Sequence, residues 1–298
     1  GTPWIALLGL GLFTLANVIV IALGVQNGIE KANKVMMPLL FILFIILVIR
    51  ALTLDGAAEG LKFFLYPDFS KTTGESLLFA LGQSFFALAV GFSCLVTYSS
   101  YLKKDVSLPQ SAGWVVGLTI FVSLLAGLAI FPVVFTFGIE PAEGPGLLFM
   151  VLPAAFSQLA FGEVFLSMFL ILFLFATLTS SFSMYEIIVA ALIEKLQTTR
   201  AKLTIILGII VFIVSIPSAL TFSVLSDFTL FGKSIFDLTD FFVSNMLLPL
   251  GNLLIAIFLV YAMDKQFVKT ELLQGSQMGE GYYKIYRTLM TFVVPVVI

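Results

Sequence analysis

The sequence predicts an all-α, polytopic membrane protein. Of its 298 residues, 60% are hydrophobic and only 11% are charged, whereas about a quarter of the residues in a soluble domain are charged. The mean hydropathy is +1.13. Because so few charged residues cannot cover a water-facing surface of this size, we expect most of the surface to face lipid. The apolar runs do not alternate every second residue, as the strands of a membrane barrel would.

Eight segments have the roughly 20 mostly apolar residues that a membrane helix needs. They cover residues 3–24, 35–54, 76–101, 112–138, 164–194, 203–225, 233–263 and 282–298, the last of them incomplete. Residues 147–159 are apolar but too short to span, and we predict a short re-entrant or interfacial helix there. It follows a predicted outer loop, Glu140–Gly146. We expect residues 1–298 to form a single transmembrane domain.

Basic residues in the predicted loops indicate the orientation. If loop 25–34 is cytoplasmic and the sides alternate, 11 of the 15 Lys and Arg residues lie inside. The other four, on the outside, are Arg50, Lys62, Lys71 and Lys233. We therefore predict a multi-pass protein of the inner or plasma membrane, in contact with the lipid bilayer.

The two ends of the sequence resemble cut ends. The chain begins Gly1-Thr2-Pro3-Trp4, without Met or a signal peptide, and it stops inside the apolar run Phe292–Ile298. We expect it to be a fragment, with part of the machinery elsewhere.

Several functional classes find no support in the composition. The chain has no His and only one Cys, Cys94, which excludes disulfides within the chain and metal sites built from His or Cys. No carboxylates are paired closely in sequence deep in the predicted membrane, so we predict that the protein is not an enzyme. No basic run suggests nucleic acid as a partner.

The third predicted span contains the polar stretch Gly82–Cys94, which includes Gly91, Gln83 and two serines. Small residues let neighbouring helices approach closely, and on composition alone such packing is the favoured interpretation. The alternative is a broken helix that presents its own carbonyl groups, which is tolerated at membrane depth only where it lines a cavity.

The fifth predicted span contains five hydroxyl residues between Thr177 and Ser183. Sodium is a hard cation that takes oxygen ligands. The hydroxyls of Thr179 and Ser180, together with the Ala176 carbonyl one turn back, would form a neutral oxygen cluster. Alternatively, these hydroxyls only bond the preceding turn of their own helix, which is common for Ser and Thr. The composition leaves both interpretations open.

Acidic residues inside a membrane are functional candidates by default. Glu186 lies about two turns from Ser180, and it could pair with a cation or bond a neighbour as a neutral acid. Asp237 and Asp240 lie one turn apart near the outer end of the seventh span, where a solvated helix start is the simpler interpretation. Glu194 lies beside Lys195, where an exposed ion pair would contribute little.

Six sequence pieces carry a resemblance to a known family. They are Gly28–Pro38, Gly82-Gln-Ser-Phe-Phe86 with Gly91-Phe92, Thr97-Tyr-Ser-Ser-Tyr101, Gly144-Pro-Gly146, Leu152-Pro-Ala-Ala-Phe-Ser157 and Leu178-Thr-Ser-Ser181. In this order and spacing the chain resembles the neurotransmitter:sodium symporters, particularly the bacterial amino-acid members. The resemblance implies the fourth to eleventh helices of a five-plus-five inverted-repeat transporter, with the first three helices missing and the third span broken.

The resemblance also implies roles for individual residues. Substrate would be bound by Phe86, Ala87, Ala89, Phe92, Leu95, Ser180 and Met184, with carbonyl groups of Phe86 and Ala87 facing its ammonium group. One sodium would be held at Ala176, Thr179 and Ser180. Asp240 would belong to an outer gate, and Tyr101 and Glu194 to an inner gate, each facing an arginine outside this chain.

The other ions of the family match less completely. A possible second sodium falls at Ala87 and Thr119, where the family usually has a hydroxyl and an Asn. Ala87 offers only its carbonyl there. Ser123 matches a chloride-binding serine of chloride-dependent members, but without a hydroxyl at position 87 a chloride site would be incomplete, and we do not predict one.

We therefore predict sodium-coupled symport of an amino acid, apolar or aromatic in view of the Phe, Leu, Met and Ala side chains. Two alternatives stay open: a related-fold transporter of another small solute, such as a nucleobase or an organic cation, and a ligand-sensing or channel-like protein. The first would show no competition by amino acids, and the second no sodium-dependent accumulation. The sequence does not indicate an oligomeric state.

Overall fold

The computed structural model describes residues 2–66, 68–138 and 147–298 and is almost entirely helical. The predicted outer loop Glu140–Gly146, with the Gly144-Pro-Gly146 motif, lies outside these residues. The α-helices are α1 (Pro3–Ala22), α2 (Lys31–Leu52), α3 (Ala57–Leu65), α4 (Gly74–Ala87), α5 (Cys94–Ser99), α6 (Leu108–Thr136), α7 (Leu152–Phe156), α8 (Gly162–Ile193), α9 (Arg200–Ala219), α10 (Ile235–Phe242), α11 (Leu248–Ile257), α12 (Lys265–Leu273), α13 (Glu280–Thr288) and α14 (Val294–Val297).

Other regular elements are short. Wider π-helical turns occur at Val25–Glu30, Leu147–Val151, Val243–Leu247, Phe258–Ala262 and Leu289–Val293, and a 3₁₀ turn at Phe69–Lys71. Two two-residue strands, β1 (Thr229–Leu230) and β2 (Lys233–Ser234), form an antiparallel hairpin before α10. The hairpin is a small addition to a fold that is otherwise helical, as the sequence predicts.

Six helical segments in the described residues are long and apolar enough to cross a membrane. They are Pro3–Ala22, Val25–Leu52, Leu108–Thr136, Gly162–Ile193, Arg200–Ala219 and Ile235–Ala262. A seventh apolar segment, Ser76–Ala87, is shorter. The eight spans and the single transmembrane domain stay predictions.

The segment 25–34, predicted as a loop, is helical in the structure. The π turn Val25–Glu30 leads directly into α2, which begins at Lys31. An ion pair of 2.7 Å joins Lys34 Nζ to Glu30 Oε1 one turn back, and Gly28 and Ile29 are buried. This pairing of opposite charges four residues apart favours continued helix where the charges alone suggested a loop.

The chain divides into two compact units. One comprises Gly1–Gly24, Gly74–Gly117 and Phe182–Ile298, and the other Val25–Thr73 and Leu118–Ser181. The second unit has a continuous apolar core from α2, α6, α7 and α8 and the turn that follows α7. Its buried members are Leu40, Phe44, Leu47, Val48, Ala51, Ala129, Val133, Val134, Leu152, Ala155, Phe156, Leu159, Phe169 and Leu172.

In the first unit, α1 packs along α9. Gly208 of α9 faces Val18 of α1 so closely that a methyl group on the glycine would collide with the valine side chain. A small residue at this position lets the two backbones approach, as is common between membrane helices. The first unit also contains most of the predicted site residues.

Candidate functional site: an interrupted helix and its partners

The third predicted span is not one helix. α4 ends at Ala87 and α5 begins at Cys94, and the six residues between them are unwound. Ala89, Gly91 and Ser93 have positive φ angles of 51°, 93° and 62°. Composition alone favoured plain close packing here, whereas the resemblance implies a break, and the break is what the structure contains.

The break packs directly on α11. A Cβ atom on Gly91 would lie 2.5 Å from the carbonyl oxygen of Leu248, and one on Gly251 would lie 2.6 Å from the carbonyl oxygen of Gly91. Only glycine permits both this contact and the left-handed backbone of residue 91. Asn252, 5% exposed, lies beside the same glycine, and its amide nitrogen has no hydrogen-bond partner among the described residues.

The predicted substrate residues around the break differ in their surroundings. Phe86, 42% exposed, lies in the last turn of α4, and its ring meets that of Phe92 edge to face at 6.4 Å between centroids. The Phe86 carbonyl accepts a bond of 3.0 Å from the Ala89 N–H group, which leaves it one lone pair. Ala87 is the last residue of α4. Leu95 lines a separate apolar cavity of about 620 Å³ with Leu88 and Val90 of the break.

Phe86 also lines a small cavity of about 130 Å³ between α4 and the α10 region. Asp240, the predicted outer-gate residue, lines the same cavity with Gln83, Ser244 and Asn245. The Ser244 hydroxyl donates to Asp240 Oδ1 at 3.3 Å. The structure therefore brings a predicted substrate residue and a predicted gate residue to one cavity.

The hydroxyl cluster of α8 lies on an unbroken helix. Thr179 and Ser180 both donate to the Ala176 carbonyl oxygen, at 2.9 and 3.0 Å, so the three predicted sodium ligands converge. Back-bonding of this kind is also what the simpler interpretation expects. A hydroxyl that donates one hydrogen bond, such as that of Ser180, also has oxygen lone pairs that could face a cation. The sodium assignment stays a prediction.

Two other predicted positions lie elsewhere on the helices. Met184 is exposed on α8, one turn beyond Ser180. Thr119 lies within α6 and belongs to the second compact unit, whereas Ala87 belongs to the first. The second sodium at Ala87 and Thr119 stays a prediction.

A buried ionic cluster joins the turn that follows α5 to α8 and α9. Glu186 is 0% exposed, and its Oε1 accepts a bond of 2.8 Å from the Tyr101 hydroxyl. Its Oε2 pairs with the guanidinium group of Arg200, whose Nε donates to the Ile21 carbonyl oxygen at 2.7 Å. Both carboxylate oxygens accept hydrogen bonds, as suits an ionised acid. One turn earlier, Tyr98 donates to Ser183 at 2.8 Å.

This cluster differs from the inner gate that the resemblance implies, in which Tyr101 acts together with Glu194. Tyr101 bonds Glu186 in the structure, and Glu194 is exposed just beyond the end of α8. Arg200 was counted only as an inner loop cation, yet it is the partner of the buried acid. A signal was present in the sequence, because an acidic residue inside an apolar span often pairs with a cation, and Arg200 is the first arginine after Glu186.

Comparisons with known proteins agree with this architecture. The model of the sodium:neurotransmitter symporter family matches residues 6–298. The chain is 52% identical to an uncharacterized sodium-dependent transporter, YhdH, of Bacillus subtilis, over 96% of this chain and 63% of that protein. It is 45% identical to an uncharacterized sodium-dependent transporter of Haemophilus influenzae, over 96% of this chain and 62% of that protein.

A solved structure is similar as well. The crystal structure of MhsT in complex with L-phenylalanine matches with a TM-score of 0.86 at 39% identity, over 96% of this chain and 65% of that chain. The chain thus spans a little under two thirds of the length of these relatives. With a family model that matches nearly every residue, the chain belongs to the sodium:neurotransmitter symporter family.

Proposed function

We propose that the protein is a sodium-coupled symporter that carries an amino acid across the cell membrane by alternating access. The observation that carries this proposal is the unwound segment between α4 and α5. It begins just after Phe86, which lines the cavity that also contains Asp240. Non-helical backbone within a membrane segment is tolerated only where it lines a cavity or is buried in protein. Membership of the family supports the same conclusion.

The substrate we propose is an apolar or aromatic amino acid. Phe86 and Phe92 offer aromatic faces, and the free lone pair of the Phe86 carbonyl suits an ammonium group. Such a cation is also attracted to an aromatic ring face. The similar MhsT structure contains L-phenylalanine, which supports this substrate class for the present chain.

The driving ion in this proposal is sodium, held by the carbonyl of Ala176 and the hydroxyls of Thr179 and Ser180. Three neutral oxygens on one turn suit a hard monovalent cation better than a divalent one, which usually takes carboxylates. Sodium and substrate must both prefer the same conformation, because otherwise neither can affect the binding of the other.

The buried cluster of Tyr101, Glu186 and Arg200 would keep the inner side closed in this scheme. It joins the turn after α5, the half-helix beyond the break, to α8 and α9. Opening inward would separate these groups, and each would then need water or another partner. The outer counterpart would be Asp240, at the cavity with Phe86.

Uptake by the full-length protein in proteoliposomes tests the proposal. We expect labelled phenylalanine to accumulate under an inward sodium gradient and not under a matched potassium gradient. Excess unlabelled leucine or tryptophan should compete, and uracil or choline should not.

Two results would contradict the proposal. Uptake that is independent of sodium would contradict the coupling of transport to this ion. Competition by a nucleobase or an organic cation, with none by amino acids, would assign the protein to a different substrate class within the same fold.

A further inference from the structure

A cavity of about 690 Å³ lies where two helical segments meet at the predicted cytoplasmic side. It is bordered by the end of the π turn Phe258–Ala262, the start of α12, and α13 with the turn that follows it. Three cations line it: Lys265, Lys284 and Arg287. Its remaining lining residues are aromatic, apolar or hydroxyl-bearing, and none is acidic.

None of these three cations forms a close ion pair among the described residues, although the charge of Lys284 acts on Glu280 from a longer distance. No carboxylate of the described chain lies within 4.0 Å of any of them, whereas Lys269 pairs with Glu280, the nearest acid on α13. The hydrogen bond and the charge of Lys269, and to a smaller extent the charge of Lys284, lower the pKa of Glu280, whose hydrogen-bonded partner is Lys269. A neighbouring cavity with Lys103 and Lys104 differs, because Glu271 lines it as well.

The arginine of the cavity is held in place. Its Nη1 donates to the Tyr283 hydroxyl at 3.2 Å, and that hydroxyl donates to the Lys265 carbonyl oxygen at 3.1 Å. A guanidinium group fixed through one nitrogen still has donors on its other nitrogens. A planar guanidinium with two ammonium groups nearby is a typical arrangement for binding phosphate.

The surroundings indicate which phosphate compound fits. Tyr261 and Phe292, at the rim, are 71% and 69% exposed, and both line the cavity beside the basic groups. Exposed aromatic side chains of this kind are enriched at the boundary between lipid and water. Basic pockets between membrane helices on the cytoplasmic side bind anionic lipid headgroups. We propose that Lys265, Lys284 and Arg287 bind the phosphate headgroup of an anionic phospholipid, whose chains lie against the apolar rim.

Native mass spectrometry of the detergent-purified full-length protein tests this site. The protein is titrated with phosphatidylglycerol and, separately, with phosphatidylcholine of the same chain length. We expect phosphatidylglycerol to bind more tightly, and the variant Lys265→Gln/Lys284→Gln to weaken it by about thirtyfold, since each cation near an anionic headgroup contributes about fivefold. Both lysines are exposed, so this variant should fold normally, as size-exclusion chromatography can verify.

The matched control is Lys103→Gln/Lys104→Gln, which removes the same charge from two exposed lysines on the same predicted side. The dissociation constant for phosphatidylglycerol should change by less than about twofold, which is within the error of such a measurement. An equal loss in both variants would mean attraction to the whole basic surface and would overturn the site. No preference between the two lipids would overturn it too. Displacement of the lipid by inorganic phosphate at similar concentration would assign the cavity to a free anion instead.

Discussion

The stretches Gly82–Cys94 and Thr177–Ser183 both place small or hydroxyl-bearing residues inside a long apolar segment. In the first stretch the helix stops at Ala87 and resumes at Cys94, whereas α8 runs without interruption through the second. The hydroxyls of α8 bond carbonyls of their own preceding turn, which keeps the helix intact. The first stretch instead has glycine at a left-handed position, pressed against α11. Polar composition alone therefore does not open a membrane helix.

The largest expected effect comes from removing Arg200, the cation that pairs with the buried Glu186 of α8. Arg200→Gln leaves the carboxylate of Glu186 buried without its charge partner, which should cost about 3–5 kcal/mol of unfolding free energy. Chemical unfolding of the purified protein in detergent measures this. The double variant Glu186→Leu/Arg200→Met should recover much of the loss. If the single variant were as stable as the unchanged protein, the cluster would not hold α5 and α9 to α8.

The next effect tests the support for the break. Gly91→Ala places a methyl group against the Leu248 carbonyl at a positive φ angle, and we expect a loss of about 2–4 kcal/mol together with loss of transport. Gly113→Ala, in α6 of the same unit, is the control, because no atom lies within 4 Å of the added methyl group. It should leave uptake unchanged. Equal behaviour of the two variants would mean that the break tolerates a side chain at residue 91.

A third variant tests whether the uninterrupted stretch binds an ion. Thr179→Val/Ser180→Ala should raise the sodium concentration for half-maximal uptake by about thirtyfold, because two oxygen ligands worth about 1 kcal/mol each are removed. Thr177→Val is the matched control. Its hydroxyl bonds the carbonyls of Phe173 and Leu174 and is outside the predicted ion site. If both variants shifted the sodium dependence equally, the hydroxyls of α8 would be packing groups.

The smallest effect distinguishes Tyr98, in α5, from Tyr101, two residues beyond its end. Tyr98→Phe removes one hydrogen bond to Ser183 and should cost about 1 kcal/mol of unfolding free energy. Tyr101→Phe deprives a buried carboxylate of a donor and should cost up to about 3 kcal/mol. Thermal unfolding compares them directly. A larger effect at Tyr98 would contradict the central role given to Glu186.

Much of this architecture could be predicted from the sequence because helix formation in lipid depends on local composition. Apolar runs of sufficient length specify helices wherever water is absent. The break was less predictable, since it depends on contact between Gly91 and Leu248, residues that are far apart in the sequence. Glu186 was recognised as unusual, but its partner depends on where α9 begins. The inner end of that helix places Arg200 beside the acid, and loop charge counts contain no such information.

The two hydrogen bonds that Tyr98 and Tyr101 donate to α8 have the same sequence offset, 85 residues. The chain around α5 therefore runs in the same direction as α8, and the two bonds fix one register between them. Sliding α5 along α8 by three residues, about 4.5 Å, would present Tyr98 to Glu186 in place of Tyr101. A slip of one or two residues would present no tyrosine to either acceptor. A slip of the half-helix beyond the break would therefore remove the tyrosine donors of Ser183 and Glu186 together, and it would leave Glu186 with Arg200 alone until Tyr98 reached it.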